Sequence, residues 1–370
     1  MDFIKKNRLY IILFLFLVAL NLLPHTAKEK PADLKEHGYK ASEDTLPRAE
    51  SFFAGFNEVK KRSAKIERTL KNNFPEYVFY TSLNLLIIFM FFAGLGIDGY
   101  FIFNKYKKRD ILGRTSSCVP APWNIGDALK IIILALSGSY AFFIFMDIFA
   151  KMLESVTNIK IDFYGNGNFK MIVDTIILDF FVLLFILLFL RSGYKKNITS
   201  LGIDGKNTAK NVWYGICAYI GVMPLIFAIG ILVYIVLQAM NLKPPPQPIV
   251  GLFLAEKNTA LILVSSVIAA VVGPVIEEIF FRGVLYNAVK SKLGVFWAIF
   301  STSMLFSFLH THAATYFIVG FLPITILGIV LAYLYEKTAS LVPSITLHVM
   351  NNLGSVLMVF IFKYFNTLTT

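Results

Sequence analysis

Hydrophobic and polar positions alternate along this chain on the scale of whole helices. Long apolar tracts run over roughly 9–24, 78–104, 128–150, 171–191, 212–240, 258–289, 294–312, 314–335 and 339–364, most of them separated by Lys, Arg, Pro or Gly. A helix needs about 20 mostly apolar residues to cross the hydrocarbon of a bilayer. The pattern therefore predicts an all-α, polytopic transmembrane helix bundle of about eight to nine spans. The boundary between the seventh and eighth tracts is the least marked, because only His310, Thr311 and His312 interrupt one apolar run. The first tract is short and follows Lys5, Lys6 and Arg8, as in a signal sequence. Pro24-His25-Thr26-Ala27 lacks a small-x-small cleavage pattern, so the tract reads as an uncleaved anchor.

Residues 25–76 form the sizeable polar segment. Phe52, Phe56, Val59, Ile66 and Leu70 recur there near a helical period with Lys, Arg and Glu between them. That spacing predicts an amphipathic helix lying on the membrane or the bundle, with a docking arm as the alternative. Pro120-Ala121-Pro122-Trp123 closes the loop 111–127, and Trp123 reads as an interfacial tryptophan. Pro244-Pro245-Pro246 stiffens the loop before the sixth tract. The chain thus divides into an N-terminal extension, 1–112, with two spans and the polar segment 25–76, and a helix bundle over 113–370.

Composition strengthens the membrane reading. Of 370 residues, 56% are hydrophobic and only 16% charged, too few to wet the surface of a globule this size. The net charge of +12 raises nucleic acid or anionic lipid as partners. Its distribution favours lipid and topology, since Lys105, Lys107, Lys108 and Arg109, then Arg191, Lys195 and Lys196, cluster at span ends. Those clusters place the amino terminus inside; the mixed charges of 25–76 run against that orientation. Cys118 and Cys217 supply neither a disulfide framework nor a metal motif.

Ionisable side chains deep in a span are expensive and usually functional. Three clusters stand out. In Gly273-Pro274-Val275-Ile276-Glu277-Glu278-Ile279-Phe280-Phe281-Arg282, Glu278 and Arg282 share a helix face and can pair. Glu277 points about 100° away without that partner, which suits a general base acting on water. In Phe306-Ser307-Phe308-Leu309-His310, the ring of Phe306 shares a face with the imidazole. In His348-Val349-Met350-Asn351-Asn352, His348 and Asn352 share a face and Asn351 is turned away. A structural ion pair and interfacial histidines are the bland alternatives. Taken together, Glu277, His310, His348 and Asn352 come from three spans, as a site inside a bundle requires. One carboxylate and two imidazoles (Glu277, His310 and His348) also make a first shell for a catalytic metal, zinc being the expected ion.

These three motifs, in this order, resemble those of the CAAX-protease and bacteriocin-processing family of intramembrane peptidases, which includes the Rce1-type prenyl proteases. The resemblance extends over about 115–365. It implies that Glu277 activates the hydrolytic water, that His310, His348 and Asn352 bind metal or stabilise the tetrahedral oxyanion, and that Glu278 and Arg282 support Glu277. It further implies a multi-pass protein of a bacterial cell membrane acting on a protein or peptide substrate among membrane lipid, without nucleic acid. Two other classes stand beside this one: a catalytically silent immunity or scaffold protein, and a proton-coupled transporter. The first half offers no counterpart of the Glu-Glu cluster, which weighs against the transporter.

Overall fold

The computed structural model describes residues 2–22, 73–107, 109, 121–159, 167–203, 205, 207–240, 248–311 and 314–369. Most of the 25–76 segment, Cys118, the Pro244–Pro246 run and His312 lie outside the described residues. Among those described, the secondary structure is helical throughout.

The helices are α1 (Asp2–Leu22), α2 (Phe74–Tyr106), α3 (Ile125–Thr157), α4 (Gly167–Leu188), α5 (Thr208–Ala239), the short α6 (Pro248–Ala255), α7 (Thr259–Val267), α8 (Gly273–Glu278), α9 (Asn287–His310), α10 (Ala314–Thr338) and α11 (Leu341–Thr369). π-helical segments, Ile268–Val272 and Ile279–Tyr286, link α7, α8 and α9 into one long rod. Among the described residues seven helices are long and apolar enough to cross a membrane, and one of them, Thr259–His310, has 52 residues. At 1.5 Å per residue that is far more than one bilayer. It is broken at Gly294, whose φ of 80° and ψ of 175° lie in a region open essentially to glycine. Two of the predicted tracts, 258–289 and 294–312, therefore fold as a hairpin at this residue. The chain is a polytopic integral membrane protein. Its outer faces carry exposed Phe89, Ile102, Phe145 and Phe296, which suit lipid and not water.

The carboxyl-terminal helices form the centre. α9 packs along α10, α5 along both α10 and α11, and α11 against the π segment Ile268–Val272 and α8. α2 lies on α5, and α3 pairs with α4. Small residues permit the close crossings: a Cβ on Gly215 would run into Pro343 and Thr346 of α11.

One end of the bundle is tied tightly. Leu201 is fully buried against Gly283, and Gly202 (φ 93°) accepts from the Leu341 N–H at 3.0 Å. Trp123, read from the sequence as interfacial, packs inside the bundle end and not on its outer face. It is 3% exposed and donates its indole N–H to the Val284 carbonyl at 2.9 Å. The π segment leaves carbonyls without their ordinary donors, and an indole is a donor only. Asn287 serves the same segment, donating to the Gly283 carbonyl at 2.8 Å. Tyr194 donates to Asp127 at 2.7 Å. Burial, then that bond, pushes its hydroxyl up to about 12, so it stays a donor at physiological pH.

Candidate active site

Glu278 is fully buried and organises the site. Its Oε1 accepts from Arg282 Nη1 at 2.8 Å and from His348 Nδ1 at 2.9 Å. The first contact is the i, i+4 pair predicted from sequence. Arg282 is itself buried, donates its Nη2 to the Gly328 carbonyl at 3.2 Å, and lies 4.7 Å from the Phe306 ring centroid. A carboxylate and a guanidinium out of water need one another and further partners, and the set is incomplete, since Glu278 Oε2 and Arg282 Nε are buried without a hydrogen-bond partner.

His348 fills the space between the two adjacent glutamates. Its Nδ1 faces Glu278, which fixes the ring, and its Nε2 lies 3.6 Å from Glu277 Oε2. His310 arrives from α9. Its Nδ1 donates to the Phe306 carbonyl at 2.8 Å, and its Nε2 lies 3.7 Å from the same Glu277 oxygen. Those bonds assign the proton to Nδ1 of both rings, leaving both Nε2 atoms aimed at Glu277. Glu277 thus has two imidazoles beside it, which its helix face alone did not reveal.

The depth of His310 follows from the hairpin. Glu277 and His310 stand 17 and 16 residues from Gly294 along the two arms, so equal rise brings them level. Phe306 walls the pocket as expected, its ring 4.3 Å from the His310 ring and 5.5 Å from that of His348. About 30% of the Glu277 side chain is exposed, against 3% for His348, while the Oε2 that faces the imidazoles is buried without a hydrogen-bond partner.

Asn352 shares the His348 face, and its amide is committed: Nδ2 donates to the Ala269 carbonyl at 2.9 Å. Asn351 donates to Asn352 Oδ1 at 3.3 Å.

Asp179, on α4, completes the surroundings. α4 packs on α8, and Asp179 is near enough to Glu277 for their charges to interact. Its Oδ2 is buried without a hydrogen-bond partner. The sequence reading passed over it, although an aspartate inside the 171–191 tract meets the same criterion that selected Glu277.

The residue types suit zinc: a carboxylate and two imidazoles, each ring steadied through its other nitrogen. Their placement does not. Among the described residues no group of three His, Cys, Asp or Glu is arranged to hold a metal ion. The separations of 3.6–3.7 Å exceed a direct hydrogen bond yet leave too little room for a water between the atoms, so a water would have to bond to Glu277 from its exposed side.

Glu277, His310 and His348 thus form a polar cluster inside a membrane-spanning helical bundle. Residues 259–354 match the family model described as Type II CAAX prenyl endopeptidase Rce1-like. That segment contains Glu277, Glu278, Arg282, His310, His348 and Asn352, so the resemblance read from the motifs holds over it. The chain is 30% identical over 95 residues to "Putative membrane peptidase YdiL" of Bacillus subtilis (strain 168). The match covers 25% of this chain and 36% of that relative, so the chain spans about a third of the length of the curated relative it matches. No solved structure matches the chain.

Proposed function

We propose that the protein is an intramembrane endopeptidase that hydrolyses a peptide bond of a protein or peptide substrate by glutamate-activated water. The observation that carries this reading is the convergence of two imidazole Nε2 atoms on one oxygen of Glu277, 3.6 and 3.7 Å away. The match of this segment to a peptidase family supports it.

The steps follow from those positions. A water beside Glu277 gives its proton to the carboxylate as its oxygen adds to the scissile carbonyl carbon. The oxyanion that forms accepts from an Nε2–H of His310 or His348 in its imidazolium form, and Glu278 steadies that charge at His348 through Nδ1. When the C–N bond breaks, Glu277 returns its proton to the leaving amine. Arg282 keeps Glu278 ionised and in place. No step is assigned to a metal.

His348 lies seven residues beyond Leu341, roughly 10 Å of helix from the tied end of the bundle. That depth suits a bond close to the membrane boundary rather than at its midplane. Nothing in the site calls for a prenyl group.

The test compares new peptide termini in membranes carrying the wild-type protein or Glu277→Gln, both verified as present and folded. Termini lost only in the variant establish a peptidase and identify its substrate. Matching samples would favour the scaffold alternative. Chelation by 1,10-phenanthroline separates the two forms of the chemistry. Cleavage is expected to persist; loss restored by added zinc would put an ion between Glu277 and the imidazoles.

A further inference from the structure

The helix that carries Glu277 is interrupted one turn earlier. Over Ile268–Val272 the backbone runs as a π turn, and the Gly273 N–H donates to the Ile268 carbonyl, five residues back. In that register the next amide would reach the Ala269 carbonyl. Residue 274 is proline and has no amide hydrogen, so Ala269 loses its helical donor. In a membrane span no bulk water replaces it. The donor that Ala269 does receive is Asn352 Nδ2, at 2.9 Å, from α11.

We infer that Asn352 stands in for the missing proline amide, as a positioning residue that closes this gap and fixes Glu277 against His348. The bond runs between the two stretches on which those residues sit. Asn352 is one turn beyond His348 on its face, and Ala269 lies in the π turn that leads into α8. The π turn also reaches the carboxylate. A Cβ on Gly273 would come within 3.2 Å of the Ile268 carbonyl oxygen and 3.9 Å of Glu277 Oε1, so a shift of this turn moves Glu277 directly. Because each Nε2 lies only 3.6–3.7 Å from Glu277 Oε2, a small slide of α8 along α11 would uncouple them. This assignment differs from a direct oxyanion role for Asn352, and its activity arm rests on the peptidase reading above.

The experiment is a double-mutant cycle on the full chain with Asn352→Ala and Pro274→Ala, reading both thermal unfolding in detergent and the yield of cleaved termini per folded protein. Alanine at 274 restores the amide that Asn352 replaces. Asn352→Ala alone is expected to lower the unfolding temperature and to cut cleavage about tenfold, the factor a barrier change of ~1.4 kcal/mol gives. In the Pro274→Ala background the same change is expected to cost much less on both readouts. An equal loss of cleavage in both backgrounds would overturn the inference and return Asn352 to the reacting atoms. Loss of stability without loss of cleavage would overturn it too, leaving a bond that holds the fold and not the site. Should Pro274→Ala silence cleavage by itself, the unfolding temperatures decide alone, and equal shifts with or without Pro274 refute the substitution. Failure of the peptidase reading would show differently, as identical termini from wild type and Glu277→Gln, and would leave the unfolding cycle intact.

Discussion

At the scale of single residues, Glu278 and not Glu277 carries the structural weight. One oxygen of a fully buried carboxylate receives both Arg282 and His348, so the orientation of the imidazole beside the base depends on the guanidinium one turn away. Arg282→Ala should cost about 3–5 kcal/mol in stability, because it leaves Glu278 buried and unpaired. It should also remove activity, since the His348 ring then loses its fixed anchor. Thermal unfolding alongside a cleavage assay checks this, and a stable but inactive variant would mean that water or another cation reaches Glu278. Asp179 makes the opposite case. A carboxyl with an unpartnered oxygen in a span is a cost to the fold, on the order of 1–3 kcal/mol when such a group is left unsatisfied. Asp179→Leu should therefore raise the unfolding temperature. If cleavage falls at the same time, the aspartate is kept for its charge beside Glu277; unchanged cleavage would make it a tolerated defect.

At the scale of elements, the rod from Thr259 to His310 shows how local backbone choices set the site. Its π segments turn successive side chains off the ordinary α register, and Trp123, Asn287 and Asn352 supply donors to carbonyls in them. Gly294 then reverses the chain with a backbone conformation that a Cβ opposes. Gly294→Ala should destabilise by about 1–3 kcal/mol and disturb the alignment of His310 with Glu277. The cleavage rate should fall more than the folded fraction does, and equal falls would show that the hairpin does not set the level of His310. Of these elements the pairs Glu278–Arg282, Phe306–His310 and His348–Asn352 were legible in the sequence, because i, i+4 spacing on a helix is a local property. The bulges, the buried state of Trp123 and the proximity of Asp179 were not. Each depends on what a neighbouring helix offers, and hydropathy carries no information about that.

At the scale of the molecule, the contacts between loops sort into two ends. Trp123 with Val284, Gly202 with Leu341 and Lys290 with Glu336 meet at one end. Asn168 with Glu256, and Lys363 with the Glu256 carbonyl, meet at the other. This partition is the one that alternating spans require, with the rod broken at Gly294 counted as two. By the positive-inside rule the Lys-rich loops predict that the first end is cytoplasmic. A cysteine at Lys292, in a chain freed of its own cysteines, should react with an impermeant thiol reagent only from the cytoplasmic side, and one at Lys257 only from outside. The reverse result would invert the orientation.

The sequence by itself determined that lipid is the solvent, where most spans run, and which ionisable residues are too costly to sit in them without a purpose. These follow from transfer energies and helix periodicity, which act residue by residue along the chain. Only the tertiary structure decided that His310 stands level with Glu277, that His348 lies between two neighbouring glutamates, and that Asn352 meets the carbonyl a proline leaves unserved. Those contacts join residues 33 to 83 positions apart, across helices whose order in sequence does not state which faces they turn to one another.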